Sequence, residues 1–178
     1  VSPFLTFETI NFAKPTNSLT VQLAGDLDVP FVSKDVLTVD GTGTAIDLSG
    51  IDLTIDGEAG KDEVVFQGTV TTGNLTVNAE SITVSGTLDA ADVTLNAEAE
   101  DDGAVDQDGE YLGGVFQGLY IATPEARIDL SGATITASGA VDLDATATTT
   151  LSTTPSSLGG AVDATLLTLL PVADILLD

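Results

Sequence analysis

The chain has 178 residues, with 28 Asp and Glu against four Lys and Arg, which gives a formal net charge of −24. This balance argues against a nucleic-acid partner or an anionic membrane surface, because no basic patch exists to neutralise phosphates. The chain has no Cys and no His, which excludes disulfides, thiol nucleophiles, imidazole bases and the usual zinc and haem sites.

The hydrophobic fraction is 43%, with only 4% aromatic residues. Abundant Val, Ile, Leu and Thr favour stacked strands with an aliphatic interior. No apolar run approaches the roughly 20 residues of a transmembrane helix, so no membrane insertion is predicted.

Residues 1–35 differ from the rest of the chain. The apolar stretches Phe4–Phe12 and Leu19–Leu23 flank Lys14-Pro15-Thr16-Asn17, a turn-forming cluster. Four of the six Phe residues lie here. Because the open end of a stack of strands exposes apolar side chains and unpaired backbone groups, we expect this region to form an N-terminal hairpin or cap.

Residues 36–157 show short runs in which apolar and polar residues alternate, each closed by a glycine corner, a pattern typical of strands with one buried face. The clearest repeat is Leu75-Thr-Val-Asn-Ala-Glu80, which returns eighteen residues later as Val93-Thr-Leu-Asn-Ala-Glu98. Repeats at such spacing are typical of one turn of a solenoid. We therefore predict an all-β, right-handed parallel β-helix in which Leu75–Val77 stacks in parallel on Val93–Leu95, with a β-sandwich as the alternative.

Two further echoes do not fit a period of eighteen. Ile46-Asp-Leu-Ser-Gly50 returns at Ile128–Gly132, and Val65-Phe-Gln-Gly68 returns at Val115–Gly118, at offsets of 82 and 50 residues. The turns must then vary in length or carry insertions, or the echoes are accidents of a low-diversity sequence.

The distal part of the chain changes composition twice. Seven carboxylates fall between Glu98 and Glu110, which predicts an acidic loop inserted near residues 98–127. Residues 158–178 are rich in Leu, and we interpret them as an apolar C-terminal turn or assembly segment, either strands or a short helix. The chain is interpreted as a processed protein or a segment of a longer one.

One motif points to a metal ion. The stretch from Gly57 to Val64 resembles the glycine- and aspartate-rich nonapeptide of the RTX family, with Glu58 where the second glycine belongs. The resemblance implies that Gly57 and Gly60 form the turn and that Asp62 binds Ca²⁺. The acidic loop is a second calcium candidate because crowded carboxylates suit a hard cation; its proposed ligands are Asp102, Asp106 and Asp108. The ordinary alternatives are a structural turn and a solvated loop.

Residues 15–145 resemble segments of giant bacterial secreted surface proteins of the filamentous-haemagglutinin-like and RTX-containing adhesin type. The resemblance rests on Asn17-Ser-Leu-Thr-Val21, the partial nonapeptide and the stretch Gly73–Gly86. It implies a secreted, extracellular or cell-surface location, and a structural role in a surface, matrix or filament. The expected partners are further copies or neighbouring repeats of a longer chain.

Two other functions stay open. The acidic loop with Tyr111 and Tyr120 could form a calcium-dependent module that binds a surface glycan or protein. A polysaccharide-active enzyme using Asp106 or Asp108 is the least favoured, because the chain has no Trp and its four basic residues are scattered. We therefore predict no catalytic residues and no enzymatic activity.

Overall fold

The computed structural model describes residues 13–23, 34–58, 61–101, 119–122, 125–149, 165–168 and 172–177. These residues form strands, turns and bends, without a helix, which confirms the all-β prediction for this part of the chain. The strands are β1 (Ser18–Gln22), β2 (Lys34–Leu48), β3 (Asp52–Asp56), β4 (Lys61–Thr72), β5 (Leu75–Ala79), β6 (Ser81–Ala90), β7 (Val93–Asp101), β8 (Leu119–Ala122), β9 (Glu125–Asp129), β10 (Thr134–Ala137), β11 (Val141–Thr149), β12 (Thr165–Thr168) and β13 (Val172–Leu176).

The strands form two main sheets. Sheet A has the order β1-β3-β5-β7-β11, and sheet B has the order β13-β9-β6-β4-β2, with β10 also paired to β6. A small third sheet joins β12 to β8. Every pair among the described strands is parallel. The chain therefore alternates between the two sheets, and each new strand runs parallel to its neighbour in the same sheet.

The eighteen-residue repeat sets the register between β5 and β7. Leu75 pairs with Val93, Val77 with Leu95 and Ala79 with Ala97, which confirms the predicted parallel stacking. We call the stretch of chain between two register partners on neighbouring strands of a sheet a layer. Other layers are longer than eighteen residues, since Leu53 pairs with Leu75 and Val93 pairs with Val141 in β11. The layers therefore share a register and differ in length.

The core lies between the inward faces of sheets A and B. Leu75 and Val93 of sheet A and Ile82 and Ile128 of sheet B are at most 1% exposed, and they belong to a single apolar cluster. Burying one such side chain stabilises the fold by about 1.5–3 kcal/mol relative to leaving it in water. Alternation along each strand supplies this core, because every second residue points inward.

The echo Ile46–Gly50 and Ile128–Gly132 encodes a corner. Asp47 Oδ1 accepts a hydrogen bond from the Ser49 amide at 2.9 Å, and Asp129 Oδ1 accepts one from the Ser131 amide at 3.0 Å. Gly50 and Gly132 both have positive φ, at 71° and 76°. Ile46 nevertheless pairs with Val70, whereas Ile128 pairs with Ile82. The same corner therefore occurs at two different places in a layer. This explains why the 82 residues between the two copies are not a multiple of eighteen.

A column of glycines runs through sheet B. Gly41, Gly68 and Gly86 are in register in β2, β4 and β6. A Cβ atom on Gly68 would lie 2.2 Å from the carbonyl carbon of Gly41, and one on Gly86 would lie 2.1 Å from the Gly68 oxygen. Gly68 also has a φ of 71°. The register shift of β2 follows directly after Gly41. These close backbone approaches leave no room for a side chain.

The structure covers parts of the three predicted regions. In residues 1–35, β1 pairs in parallel with β3, while Phe4, Phe7, Phe12 and Phe31 lie outside the described residues. In residues 98–127, β7 extends to Asp101 and β9 begins at Glu125, and residues 102–118 lie outside the described ranges. In residues 158–178, the described parts are the strands β12 and β13.

Substituting glycines of this region tests the close approach. We expect Gly68→Ala to lower the free energy of unfolding by several kcal/mol, because a left-handed backbone costs about 1–2 kcal/mol for an L-residue and the overlap adds to it. Gly43→Ala is the control, because nothing lies within 4 Å of its Cβ position, and its effect should stay within about 0.5 kcal/mol. Urea unfolding measures both. Equal effects of the two substitutions would contradict the glycine column.

Candidate functional site

The corner between β3 and β4 holds a buried carboxylate. Asp62 is the second residue of β4 and alternates with Val64 and Phe66, so its side chain lies on the inward face and is 2% exposed. A Cβ atom on Gly57 would lie 2.9 Å from both Cβ and Oδ2 of Asp62. Gly57 is therefore required by packing against Asp62, independently of any metal ion.

Glu58 has an unusual backbone conformation. It is the non-glycine residue of the described part with positive φ, at 59°. It stands where the RTX-type nonapeptide has its second glycine, a residue that adopts this conformation without steric cost. The side-chain Nε2 of Gln22 donates to Glu58 Oε1 at 3.1 Å, and the backbone N–H of Glu58 donates to Asp56 Oδ1 at 3.3 Å. The chain thus keeps a glycine-like turn here with a carboxylate in it.

Glu80 completes this corner from the next layer. Its Oε2 accepts a hydrogen bond from the Asp62 amide at 2.6 Å. Burial raises the pKa of Glu80 above the usual glutamate value, and the nearby Glu98 carboxylate raises the pKa further. The hydrogen bonds from the amides of Asp62 and Glu80, together with Lys61, act in the opposite direction. Glu80 is therefore a structural acceptor whose negative charge is poorly solvated.

The described residues include only some of the predicted calcium ligands and turn formers. Of the predicted ligands and turn formers, Asp62 and Gly57 meet at the β3–β4 corner, whereas Gly60, Asp102, Asp106 and Asp108 lie outside the described residues. Within the described ranges, no group of three or more Asp, Glu, His or Cys is placed to hold a metal ion. Calcium takes six to eight oxygen ligands, so the Asp62 corner does not supply a complete site by itself. Calcium binding stays a prediction.

The outer face of sheet A carries polar columns, and the eighteen-residue repeat supplies their members on β5 and β7. Thr20, Thr54, Thr76 and Thr94 are in register, and the next outward column reads Gln22, Asp56, Asn78, Asn96 and Asp144. Asn96 Nδ2 donates to Asn78 Oδ1 at 2.9 Å. The two amides therefore separate the two carboxylates of the column, and like charges do not face each other directly.

A cavity of about 280 Å³ lies beside this column. It is lined by Asn78, Asn96, Ala97, Glu98, Asp144 and Thr146. Its side chains offer amide, hydroxyl and carboxylate groups, and the Thr146 hydroxyl donates a hydrogen bond to Asp144 Oδ1 at 3.2 Å. Asn78 and Asn96 are not among the site residues predicted from the sequence, although the repeat spacing with outward alternation is the signal that places them side by side.

The terminal strands carry the exposed apolar side chains. Among the described residues, the exposed large hydrophobic side chains are Val36, Val141, Ile175 and Leu177. Val36 lies on β2, Val141 on β11 and Ile175 on β13, while Leu177 directly follows β13. A second cavity, of about 420 Å³, lies against β1 and β2 and is lined mainly by Leu, Val and Ile.

The chain matches no protein-family model, and comparison with curated proteins and with solved structures likewise returns no match. Within the described residues, no helix has the length and apolar character needed to cross a membrane. Functional inference therefore rests on the geometry of the corner, the polar columns and the terminal strands.

Neutralising Glu80 should stabilise the protein in a pH-dependent way. Because the folded-state pKa is raised, the cost of the charge is absent below the ordinary glutamate pKa of 4.5 and grows as the pH rises through the folded-state value. Glu80→Gln keeps an acceptor for the Asp62 amide and removes the charge. We expect it to add up to about 1 kcal/mol of unfolding free energy at pH 7.

Urea unfolding at pH 7 and below about pH 4 measures the difference in unfolding free energy between Glu80→Gln and the parent protein. The gain should vanish below about pH 4. Glu125→Gln is the control, because Glu125 is exposed on β9. A gain for Glu80→Gln that is the same at acidic and neutral pH would show that burial of charge is not its cause.

Proposed function

We propose that the chain is a right-handed parallel β-solenoid and a non-enzymatic structural component of a bacterial extracellular surface, matrix or filament. It would act in adhesion or self-assembly. The observation that carries this proposal is the in-register parallel ladder, whose apolar columns reach the terminal strands and end there in exposed side chains.

The pattern of strand pairing supports the solenoid. Parallel neighbours need a crossover connection, and here the chain makes a strand of the other sheet on the way, as β4 and β6 alternate with β5 and β7. A β-sandwich built from hairpins would pair consecutive strands in antiparallel fashion. The right hand follows the general rule for crossovers between parallel strands.

The location of the regular positions supports a structural role. Repeated residues fill the core, as Leu75 and Val93 do, or form outward columns, as Asn78 and Asn96 do. Regularity of this kind builds a scaffold of stacked units that contact only their neighbours. A net charge of −24 favours solubility in salt-containing water outside the cell. The resemblance to secreted adhesin segments leads to the same expectation.

Distances between spin labels test the solenoid. The chain has no Cys, so cysteine variants of Thr20, Thr76, Thr94 and Asp142 can be labelled specifically. Thr20 and Asp142 are separated by four ladder steps, each of about 4.8 Å. We expect label distances from Thr20 to increase linearly through Thr76 and Thr94 to Asp142. A shorter distance to Asp142 than to Thr94 would rule out the stacked architecture.

Light scattering tests self-assembly. We expect the mean particle mass to increase with protein concentration, and more strongly at about 0.5–1 M salt, because the Debye length falls to about 3–4 Å and the mutual repulsion of the chains is screened. The same series with millimolar calcium tests whether the ion promotes assembly or raises the melting temperature. A protein that stays monomeric under all these conditions would refute the self-assembly proposal.

A further inference from the structure

The stack of strands has two different ends. At one end, which we call the head, β1 pairs with β3 and β2 with β4; at the other, the tail, β11 pairs with β7 and β13 with β9. Among the described strands, none pairs with the second edge of β1, β2, β11 or β13. Within the described residues, each end therefore presents backbone N–H and C=O groups that can template another parallel strand.

The tail exposes side chains that belong to core columns. Val141 is 49% exposed, while Val93, its partner in register, is fully buried. Ile175 is 38% exposed, while its partner Ile128 is fully buried. Leu177 is 71% exposed. Val141 and Ile175 therefore stand at inward positions of the last layer, and no described strand covers them.

The head presents the other ends of the same columns. Leu19 stands in the column of Val141, and Leu37 stands in the column of Ile175. These side chains line the cavity of about 420 Å³, together with Val21, Val39, Ile46 and Leu48. The head is thus an apolar recess, and the tail is an apolar surface built on the same register.

We propose that the partner of the head is the tail of a second copy of this chain, stacked as one more layer. The proposal rests on the structural role proposed above and specifies its geometry. Continuing the columns places Val141 on Leu19 of the next copy, Leu143 on Val21 and Ile175 on Leu37. Both sheets continue through the joint with parallel backbone pairing.

The outward residues favour this head-to-tail arrangement. The tail carries Asp142, Asp144 and Asp174 on its outer columns. Head-to-tail stacking places Asp142 opposite Thr20 and Asp144 opposite Gln22 of the next copy. The chain already contains both kinds of pair, since Asp142 faces Thr94 and Asp56 faces Gln22. Two tails placed together would instead bring carboxylates against carboxylates, which is destabilising.

Head-to-tail contacts do not close on themselves. A contact between two different surfaces repeats indefinitely unless rotation closes a ring, so this joint produces filaments. Sheet A has five strands, and with about 4.8 Å per strand each copy adds roughly 24 Å to the filament.

Blocking one end at a time tests the arrangement. Leu37→Lys blocks the head, Ile175→Lys blocks the tail, and Thr54→Lys is a control on the outer face of an internal strand. In high salt we expect Thr54→Lys to assemble like the parent protein. Each blocked variant should need at least a roughly tenfold higher concentration to assemble, and should be monomeric where the parent protein assembles, because a Lys would replace an apolar side chain in a buried column.

Mixing the two blocked variants gives the deciding result. The free tail of Leu37→Lys fits the free head of Ile175→Lys, so the mixture should form a 1:1 dimer and stop. Dimers of Leu37→Lys alone would indicate tail-to-tail contact, and dimers of Ile175→Lys alone would indicate head-to-head contact; either overturns the proposal while leaving self-assembly intact. A parent protein that never assembles overturns both.

A surface pair tests the register even where a core substitution impairs folding. Thr20→Asp places a carboxylate opposite Asp142 of the next copy and should weaken assembly roughly two- to fivefold. Asp142→Asn in the same chain should restore it, whereas Asp174→Asn should not. Equal restoration by both variants would show that net charge alone controls assembly, and the proposed register would be wrong.

Discussion

The fold depends on parallel backbone pairing in a constant register. Once Leu75 lies beside Val93, hydrogen bonding along the strands fixes the pairs that follow. Both members of a register pair point to the same face, and successive pairs alternate between the core and the outer face. A slip of one residue would turn Thr76 and Asn78 inward and expose Leu75 and Val77. The apolar core therefore selects the register, and the register then arranges the polar surface.

Departures from regularity are concentrated where the chain bends. The Asp-Leu-Ser-Gly corners use an aspartate that accepts from the serine amide and a glycine with positive φ. The glycine column in sheet B instead removes side chains, so that neighbouring backbones approach closely. These local devices allow layers of different length to share one register. A long layer costs little extra loop entropy, since that cost grows only with the logarithm of length.

An acidic chain must also separate its carboxylates. On sheet A, Asn78 and Asn96 stand between Asp56 and Asp144, while Asp47 and Asp129 are stabilised as anions by hydrogen bonds at their corners, which lower the pKa of both groups. Glu80 is the exception, since burial raises its pKa. Polar spacers and corner hydrogen bonds therefore separate or stabilise these carboxylates within the chain. In the proposed contact between copies, the Asp residues of the tail are the charges that must be accommodated.

The sequence alone determined the class of structure and part of its register. Period-two alternation indicated strands with one buried face, and the eighteen-residue repeat identified the partners Leu75 and Val93, because identical local patterns stack most easily in phase. Tertiary structure decided three other features. These are the two different positions of the corner seen at Ile46–Gly50, the packing of Gly57 against Asp62, and the contact of Glu80 with the Asp62 amide. The Glu80 contact joins residues of different layers, the Gly57 contact joins the two sides of one corner, and the place of the Ile46–Gly50 corner depends on how β2 pairs with β4. The length of chain between paired strands varies with the connections, which no local pattern encodes.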